Sequence, residues 1–290
     1  LRILKEESLK LGLGELGMSS QNERIFRSLL SRPYGMIFVT GPTGSGKTTT
    51  LYAALEILNE PSEKIITVED PVEYELDGVN QVQVKAGIGL TFAHTLRAIL
   101  RQAPSVILVG EVRDAETAQV AVQAALTGHL VFSTLHTNDA LSSVWRLIDL
   151  GIRPYLVSAA TEGVIAQRLV RRICENCKET IENEPALDAL LQKRGLRIEA
   201  ALFYRGKGCP KCNGTGYSGR LAIFEMLLLD EDLRKEIALG SAGQERLLSL
   251  TRERGRKSLF EDGLEKAMQG LTTIEEVIRV AEAGEVSRVL

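Results

Sequence analysis

The run Gly41-Pro42-Thr43-Gly44-Ser45-Gly46-Lys47-Thr48 constrains this chain more than any other stretch. It fits G-x-x-x-x-G-K-[ST], and its flanks matter as much as its letters. Met36-Ile37-Phe38-Val39-Thr40 reads as a buried strand entering the turn, and Lys47 to Leu58 as a helix leaving it. Between them, glycines without Cβ atoms let successive backbone N–H groups turn inward around phosphate oxygens. The helix start adds the positive end of its dipole. Lys47 reaches outer phosphates, Thr48 offers a hydroxyl to Mg²⁺, and Thr49 completes the binding segment.

The surrounding sequence predicts the same α/β layout. Lys64 to Val68 reads as a strand followed by an acidic loop, and Val79 to Val84 alternates like a half-exposed strand. Thr91 to Gln102 has helical spacing through Phe92, Leu96, Ile99 and Leu100. Val106 to Val109 is an apolar strand, Asp114 to Leu126 a helix, His129 to Leu135 a strand and Asp139 to Leu150 a helix. Such alternation argues for a mostly parallel sheet covered by helices. Beyond Arg171 the character changes: residues 172–218 hold all four cysteines, and residues 230–285 are helical in pattern, with breaks near Gly240, Gly255 and Gly270. The first 30 residues read as a strand, Arg2-Ile3-Leu4, then a connector and a helix.

Composition bounds the function classes. The chain has 290 residues, 44% apolar and 25% charged, which suits a water-soluble globular protein with one large core or a smaller appendage. A formal net charge of -3 gives no reason to expect a nucleic-acid partner. Residues 117–138 carry no formal charge but are interrupted by polar groups, so no spanning segment is expected. No signal peptide is visible, which points to an aqueous intracellular setting. A start at Leu1 rather than Met suggests a piece of a longer protein.

Other polar residues fall at expected strand ends, where a parallel sheet presents its ligand crevice. Glu111 ends the apolar run 106–110, where it either orients a water against a terminal phosphate or simply enters the next helix. Glu69, Asp70 and Glu73 follow another strand and either hold Mg²⁺ through water or form a solvated turn. Arg97 and Arg101 share a helix face, as partners of surface carboxylates or as arginine fingers for a neighbouring subunit. His129 and His136 bracket a strand, where a histidine is either structural or a site residue.

Together these residues resemble the secretion ATPase superfamily. GPTGSGKTTTLYAAL at 41–55, ITVEDPVEY at 66–74, LRAILRQ at 96–102, ILVGEVRDAETA at 107–118 and TGHLVFSTLHTND at 127–139 look like its Walker A, Asp box, arginine segment, Walker B and His box, in that order. The likeness continues through AQRLVRRIC at 166–174 and DGLEKAMQGLTTIEEVIRV at 262–280. Paired Cys-x-x-Cys narrows it to the type II secretion and type IV pilus assembly ATPases.

This resemblance implies a RecA-like P-loop ATPase core with a small Cys₄ zinc-binding insertion and a helical C-terminal subdomain. The segments would be 1–31, the end of a preceding domain plus connector; 32–171, the core; 172–218, the metal-binding part; and 219–290, the helical part. It further implies a hexamer that binds ATP and Mg²⁺, works at the cytoplasmic face of the inner membrane, and meets platform and anchoring proteins there. Glu111 would act at the hydrolytic water, with Arg2, Arg97 and Arg101 as fingers and His129 and His136 near the γ-phosphate. One departure is Ala103-Pro104-Ser105, where the family commonly has Asp-Pro-Asp.

Cys174-x-x-Cys177 and Cys209-x-x-Cys212 supply four thiolates, a set that suits tetrahedral Zn²⁺ in a closed structural site. Disulfides are the alternative, disfavoured where thiols stay reduced. For function, a motor ATPase stands first. A RecA-like nucleic-acid translocase and a low-turnover nucleotide-gated scaffold remain the other classes.

Overall fold

The computed structural model describes residues 12–181, 202–240 and 244–282. Arg2 and the strand expected at 2–4 lie outside them. Two compact units form: Leu1–Gln167 with Glu225–Arg256, and Arg168–Phe224 with Lys257–Leu290.

The first unit is a mixed α/β fold. Its elements are α1 (Ser20–Leu30), β1 (Gly35–Thr40), α2 (Lys47–Leu58), β2 (Ile65–Glu69), β3 (Asn80–Gln83), α3 (Phe92–Ile99) and β4 (Val106–Val109). They are followed by α4 (Ala115–Leu126), β5 (Leu130–Leu135), α5 (Ala140–Asp149), α6 (Pro154–Ala160) and the long β6 (Thr161–Ile173). After β9 (Tyr217–Leu228) come α7 (Glu231–Leu239) and α8 (Gln244–Glu253). The sheet order is β3-β2-β4-β5-β1-β6-β9. Strands β1 to β5 pair in parallel, as do β1 and β6. All six residues of β1 are buried, and Ile37, Phe38 and Val39 are 0% exposed. Burying each such side chain contributes about 1.5–3 kcal/mol, which explains why an all-apolar run occupies the inner strand.

Parallel pairing puts the C-terminal ends of β1 to β6 on one edge. Register aligns Gly35 with Leu130 and Thr40 with Leu135, and aligns Val106 with Leu130 and Val109 with Ser133. The loops after Thr40, Glu69, Val109 and Leu135 therefore emerge together, while His129 and Ser105 lie at the opposite edge.

The helix read from Thr91 to Gln102 is shorter than its spacing suggests. Thr91 caps it, α-geometry ends at Ile99, and residues 100–102 tighten into a 3₁₀ turn before Ala103 adopts φ 49°. Arg97 and Arg101 thus sit in different helix types. Most of the other helix starts show a short polar cap: Ser19, Asp114, Asp139 and Asp230 each accept an N–H from the first turn.

In the second unit β7 (Lys178–Ile181) and β8 (Phe203–Gly206) form an antiparallel pair. Helices α9 (Leu259–Met268) and α10 (Ile274–Glu282) bury Phe260, Leu264, Ala267, Ile274 and Val277 with Phe203. Residues 219–290, expected to be helical, open instead with the end of β9 and become helical from Glu231. Gly240, Gly255 and Gly270 take φ 65°, 63° and 68°, the left-handed values that end helices.

Candidate active site

The loop after β1 is shaped for an anion. Gly44 and Gly46 adopt φ 79° and 86°, values that a Cβ would strain. Gly46 is the N-cap of α2 and supplies no side-chain oxygen, and no acid stands in the first turn. The N–H groups and dipole of α2 therefore face the loop without a side-chain cap. Ser45 Oγ is buried with no hydrogen-bond partner among the described residues, a donor fit for a phosphate oxygen. Lys47 Nζ donates to the carbonyls of Gly41 at 2.8 Å and Pro42 at 3.1 Å, which holds the ammonium over the loop.

A cleft of about 150 Å³ opens beside it, lined by Lys47, Thr48, Tyr52, Glu69, Asp70, Glu73, Glu111 and His136 among others. These residues come from α2 and from the ends of β2, β4 and β5, as the parallel topology requires. Glu111, 12% exposed, accepts from Arg113 Nε at 2.6 Å, and its Oε2 lies 3.6 Å from His136 Nε2. Burial, and then the nearby Lys47 charge, lower the His136 pKa despite Glu111, so the ring is neutral at pH 7. Gly110 brings β4 close to β2, since a Cβ there would lie 3.3 Å from Glu69 Cα. Thr134 Oγ1 donates to the Gly110 carbonyl at 2.7 Å, fixing the strand end that carries Glu111.

The acidic segment divides. Glu69 is 4% exposed and bonded, so it belongs to no solvated turn. Its carboxylate accepts from Thr67 Oγ1 at 2.5 Å, from Gln81 Nε2 at 3.3 Å and from the Tyr52 hydroxyl. Asp70 is exposed and Glu73 half-buried.

The two histidines are not brought together. His129 sits at the start of β5, where its carbonyl accepts from Gly35 N–H and its Nδ1 lies 2.9 Å from the Ala124 carbonyl. Six strand residues separate it from His136, about 20 Å at the rise of an extended chain. Within this chain, His129 does not stand near the phosphate loop. Arg97 pairs with Glu116 on α4 at 2.8 Å, and both side chains are largely exposed. Arg101 is exposed. Ala103-Pro104-Ser105 lies on the far edge, where Ser105 N–H donates to Lys64 O at 2.9 Å and Ser105 Oγ accepts from Lys64 N–H at 3.2 Å. Sequence reasoning missed Tyr52 and Arg113. Helical spacing from Thr48 to Tyr52, and the placement of Arg113 two residues past Glu111, were the available signals.

In the second unit the four cysteine sulfurs lie within 4.8 Å of one another. Sγ separations are 3.9 Å for Cys174–Cys209, 3.8 Å for Cys177–Cys212 and 3.7 Å for Cys209–Cys212. A tetrahedron of thiolates around a metal at about 2.3 Å has edges of about 3.8 Å. All four are free thiols, so the disulfide alternative does not hold. Backbone N–H groups of Cys209 and Gly216 point at Cys212 Sγ at 3.1 and 3.3 Å. The Cys209 N–H above all holds the Cys212 pKa down at about 6, while burial pushes Cys177 up to about 12. A cation at the centre of such a set would favour the ionised form of its thiols. Gly206 and Gly216 cross too closely for any Cβ, which at Gly206 would lie 2.1 Å from the Gly216 carbonyl.

Comparisons with known proteins agree with the motifs. The type II/IV secretion system protein family matches residues 1–279. Type II secretion system ATPase E of Vibrio cholerae is 50% identical over 282 residues, covering 97% of this chain and 55% of that protein. Type IV pilus assembly ATPase PilB of Thermus thermophilus is 48% identical over 278 residues, 96% of this chain and 31% of that protein. The chain thus spans about half the length of the type II secretion relatives and less of PilB. Among solved structures, the pilus retraction motor PilT with bound ADP superposes with TM-score 0.71 at 30% identity, covering 96% of this chain and 68% of that one. The ATPase DotB of Legionella pneumophila gives TM-score 0.66 at 26% identity, covering 94% and 66%. Half-length coverage notwithstanding, a family match across residues 1–279, nearly all of the chain, makes this chain a member of the type II/IV secretion system protein family.

Proposed function

We propose that this chain carries the ATP-hydrolysing core of a motor for type II protein secretion or type IV pilus assembly. The observation that carries the reading is that Lys47 and Thr48, at the start of α2, line one cleft with Glu111, at the end of β4. The fold would be RecA-like, and residues 41–49 would wrap the phosphates with Lys47 as their counter-charge. Mg²⁺, held through the Thr48 hydroxyl and through water on Glu69, Asp70 and Glu73, would neutralise the outer phosphates. Glu111 would orient the attacking water and accept its proton, and His136, neutral, would stand beside the terminal phosphate.

The reading extends to a hexamer in which exposed Arg97 and Arg101, with Arg2, serve a neighbour's site. Arg97 would exchange its surface partner Glu116 for phosphate. Work would be done at the cytoplasmic face of the inner membrane, against platform and anchoring proteins, with no nucleic acid involved. Among the described residues no helix is long and apolar enough to cross a membrane. Support comes from relatives named as a secretion ATPase and a pilus assembly ATPase. The four sulfurs would hold one structural Zn²⁺, and the parts at 32–171, 172–218 and 219–290 would act as core, metal-binding and helical segments.

Phosphate release from the full chain tests this. Glu111→Gln is expected to bind ATP with native affinity and to turn over about 10²–10⁴-fold more slowly. Native turnover in that variant would remove Glu111 from the role.

A further inference from the structure

We propose that Tyr52 is a positioning residue of the nucleotide site, its hydroxyl fixing the buried carboxylate of Glu69 and tying the acidic loop after β2 to the helix that carries Lys47 and Thr48. The inference rests on the nucleotide-binding reading above and goes beyond it to a residue outside the G-x-x-x-x-G-K-[ST] run at 41–48.

Tyr52 is 0% exposed and lies four residues after Thr48, on the same face of α2. Its hydroxyl donates to Glu69 Oε2 and accepts from the Glu73 N–H at 3.4 Å and from Gln81 Nε2 at 3.3 Å. Thr67 and Gln81 hold the other carboxylate oxygen. Gln81 is itself locked, accepting from Leu76 N–H at 2.7 Å and donating to the Tyr74 carbonyl at 3.1 Å. One hydroxyl therefore joins α2, the end of β2, the loop 70–74 and β3.

The chemistry of Glu69 says what this network is for. A buried carboxylate is costly unless paired, and among the described residues every donor on Glu69 is a neutral hydroxyl or amide. A merely structural site of this depth is better filled by an apolar side chain. Glu69 instead lines the cleft with Thr48, so its uncompensated charge serves a cation there, and neutral donors orient it without cancelling that charge. Burial first, and then Glu69, raise the Tyr52 pKa well above its ordinary value, so the hydroxyl keeps its proton.

Tyr52→Phe deletes one oxygen and leaves the ring packed edge-on against Tyr74, 4.6 Å between centroids. The readout is Mn²⁺ binding to the full chain with ADP, followed by electron paramagnetic resonance, alongside ADP binding in excess chelator. Mn²⁺ affinity is expected to fall about tenfold or more, as for other residues that orient a metal's ligands, with chelator-phase ADP binding unchanged. In a cycle with Glu69→Gln, the double variant should be no weaker than Glu69→Gln alone. A variant that loses thermal stability but keeps native Mn²⁺ affinity, or a strictly additive cycle, overturns the inference while the nucleotide reading stands. Failure of the native chain to bind ADP with Mn²⁺ overturns both.

Discussion

Lys266 and Asp262 form a buried ion pair one turn apart on α9, and breaking it should be among the most damaging single changes in the second unit. Their side chains are 5% and 1% exposed and lie 2.5 Å apart. Lys266 Nζ also donates to the Ala222 carbonyl at 2.8 Å and lies 5.2 Å from the Phe224 ring centre, while Asp262 accepts the Phe224 N–H at 2.8 Å. The pair thus clamps β9 to α9. Burial lowers the Lys266 pKa in spite of Asp262, so the pair is held against a desolvation penalty. Lys266→Met keeps the stem and removes the ammonium that pairs with a buried carboxylate, a loss of about 3–5 kcal/mol. Asp262→Asn/Lys266→Met removes both charges while Asn can still accept from Phe224, and should recover most of that loss. Amide hydrogen exchange across 220–226 and 262–268 is the assay, since it reports local opening. About 3 kcal/mol accelerates exchange by roughly a hundredfold. A single-variant loss below about 1 kcal/mol, or a double variant as weak as the single, would refute the reasoning.

Three further outcomes are expected. Purified chain should carry about one zinc ion, and Cys209→Ser or a strong chelator should loosen residues 202–218 while leaving nucleotide binding intact; reduced protein without metal would contradict this. Burial opposes ionisation of Glu276, yet Arg279 and Arg171 hold its pKa down from 4.5 to about 2. A depressed folded pKa adds stability that is complete above pH 4.5 and lost as pH falls toward about 2, so acid melts of Glu276→Gln should lack that part of the slope. Ala103 has φ 49°, where Asn is tolerated better, so Ala103→Asn should gain about 0.5–1 kcal/mol in thermal melts.

How much of this was legible depends on how local each signal is. β1, α2 and β4 were readable because an apolar run meets a glycine turn, or ends in an isolated acid, within a few residues. The strand ends at Thr40, Glu69 and Val109 follow from parallel topology, so the cleft residues could be gathered in advance. Long-range pairing could not. In the sequence Glu69 is open to two readings, a Mg²⁺ partner through water or part of a solvated turn, and only Tyr52, 17 residues earlier, and Gln81, 12 later, show that it is bonded away from solvent. His129 and His136 look like one motif in sequence, yet an extended strand necessarily carries them to opposite edges. No element was assigned over 151–171, where Gln167, Arg168 and Arg171 interrupt the apolar pattern of β6. The second unit draws on residues before and after α7, a discontinuity that no linear composition shift announces.

A crystal structure of the full chain with Mg²⁺ and a slowly hydrolysed ATP analogue tests the central claim most directly. Lys47 Nζ, now 2.8 Å from the Gly41 carbonyl, should turn to the terminal phosphate, with the Glu111 carboxylate within reach of a single bridging water, about 6 Å. Phosphates bound away from residues 41–48, or a Glu111 carboxylate well beyond that distance, would contradict the account.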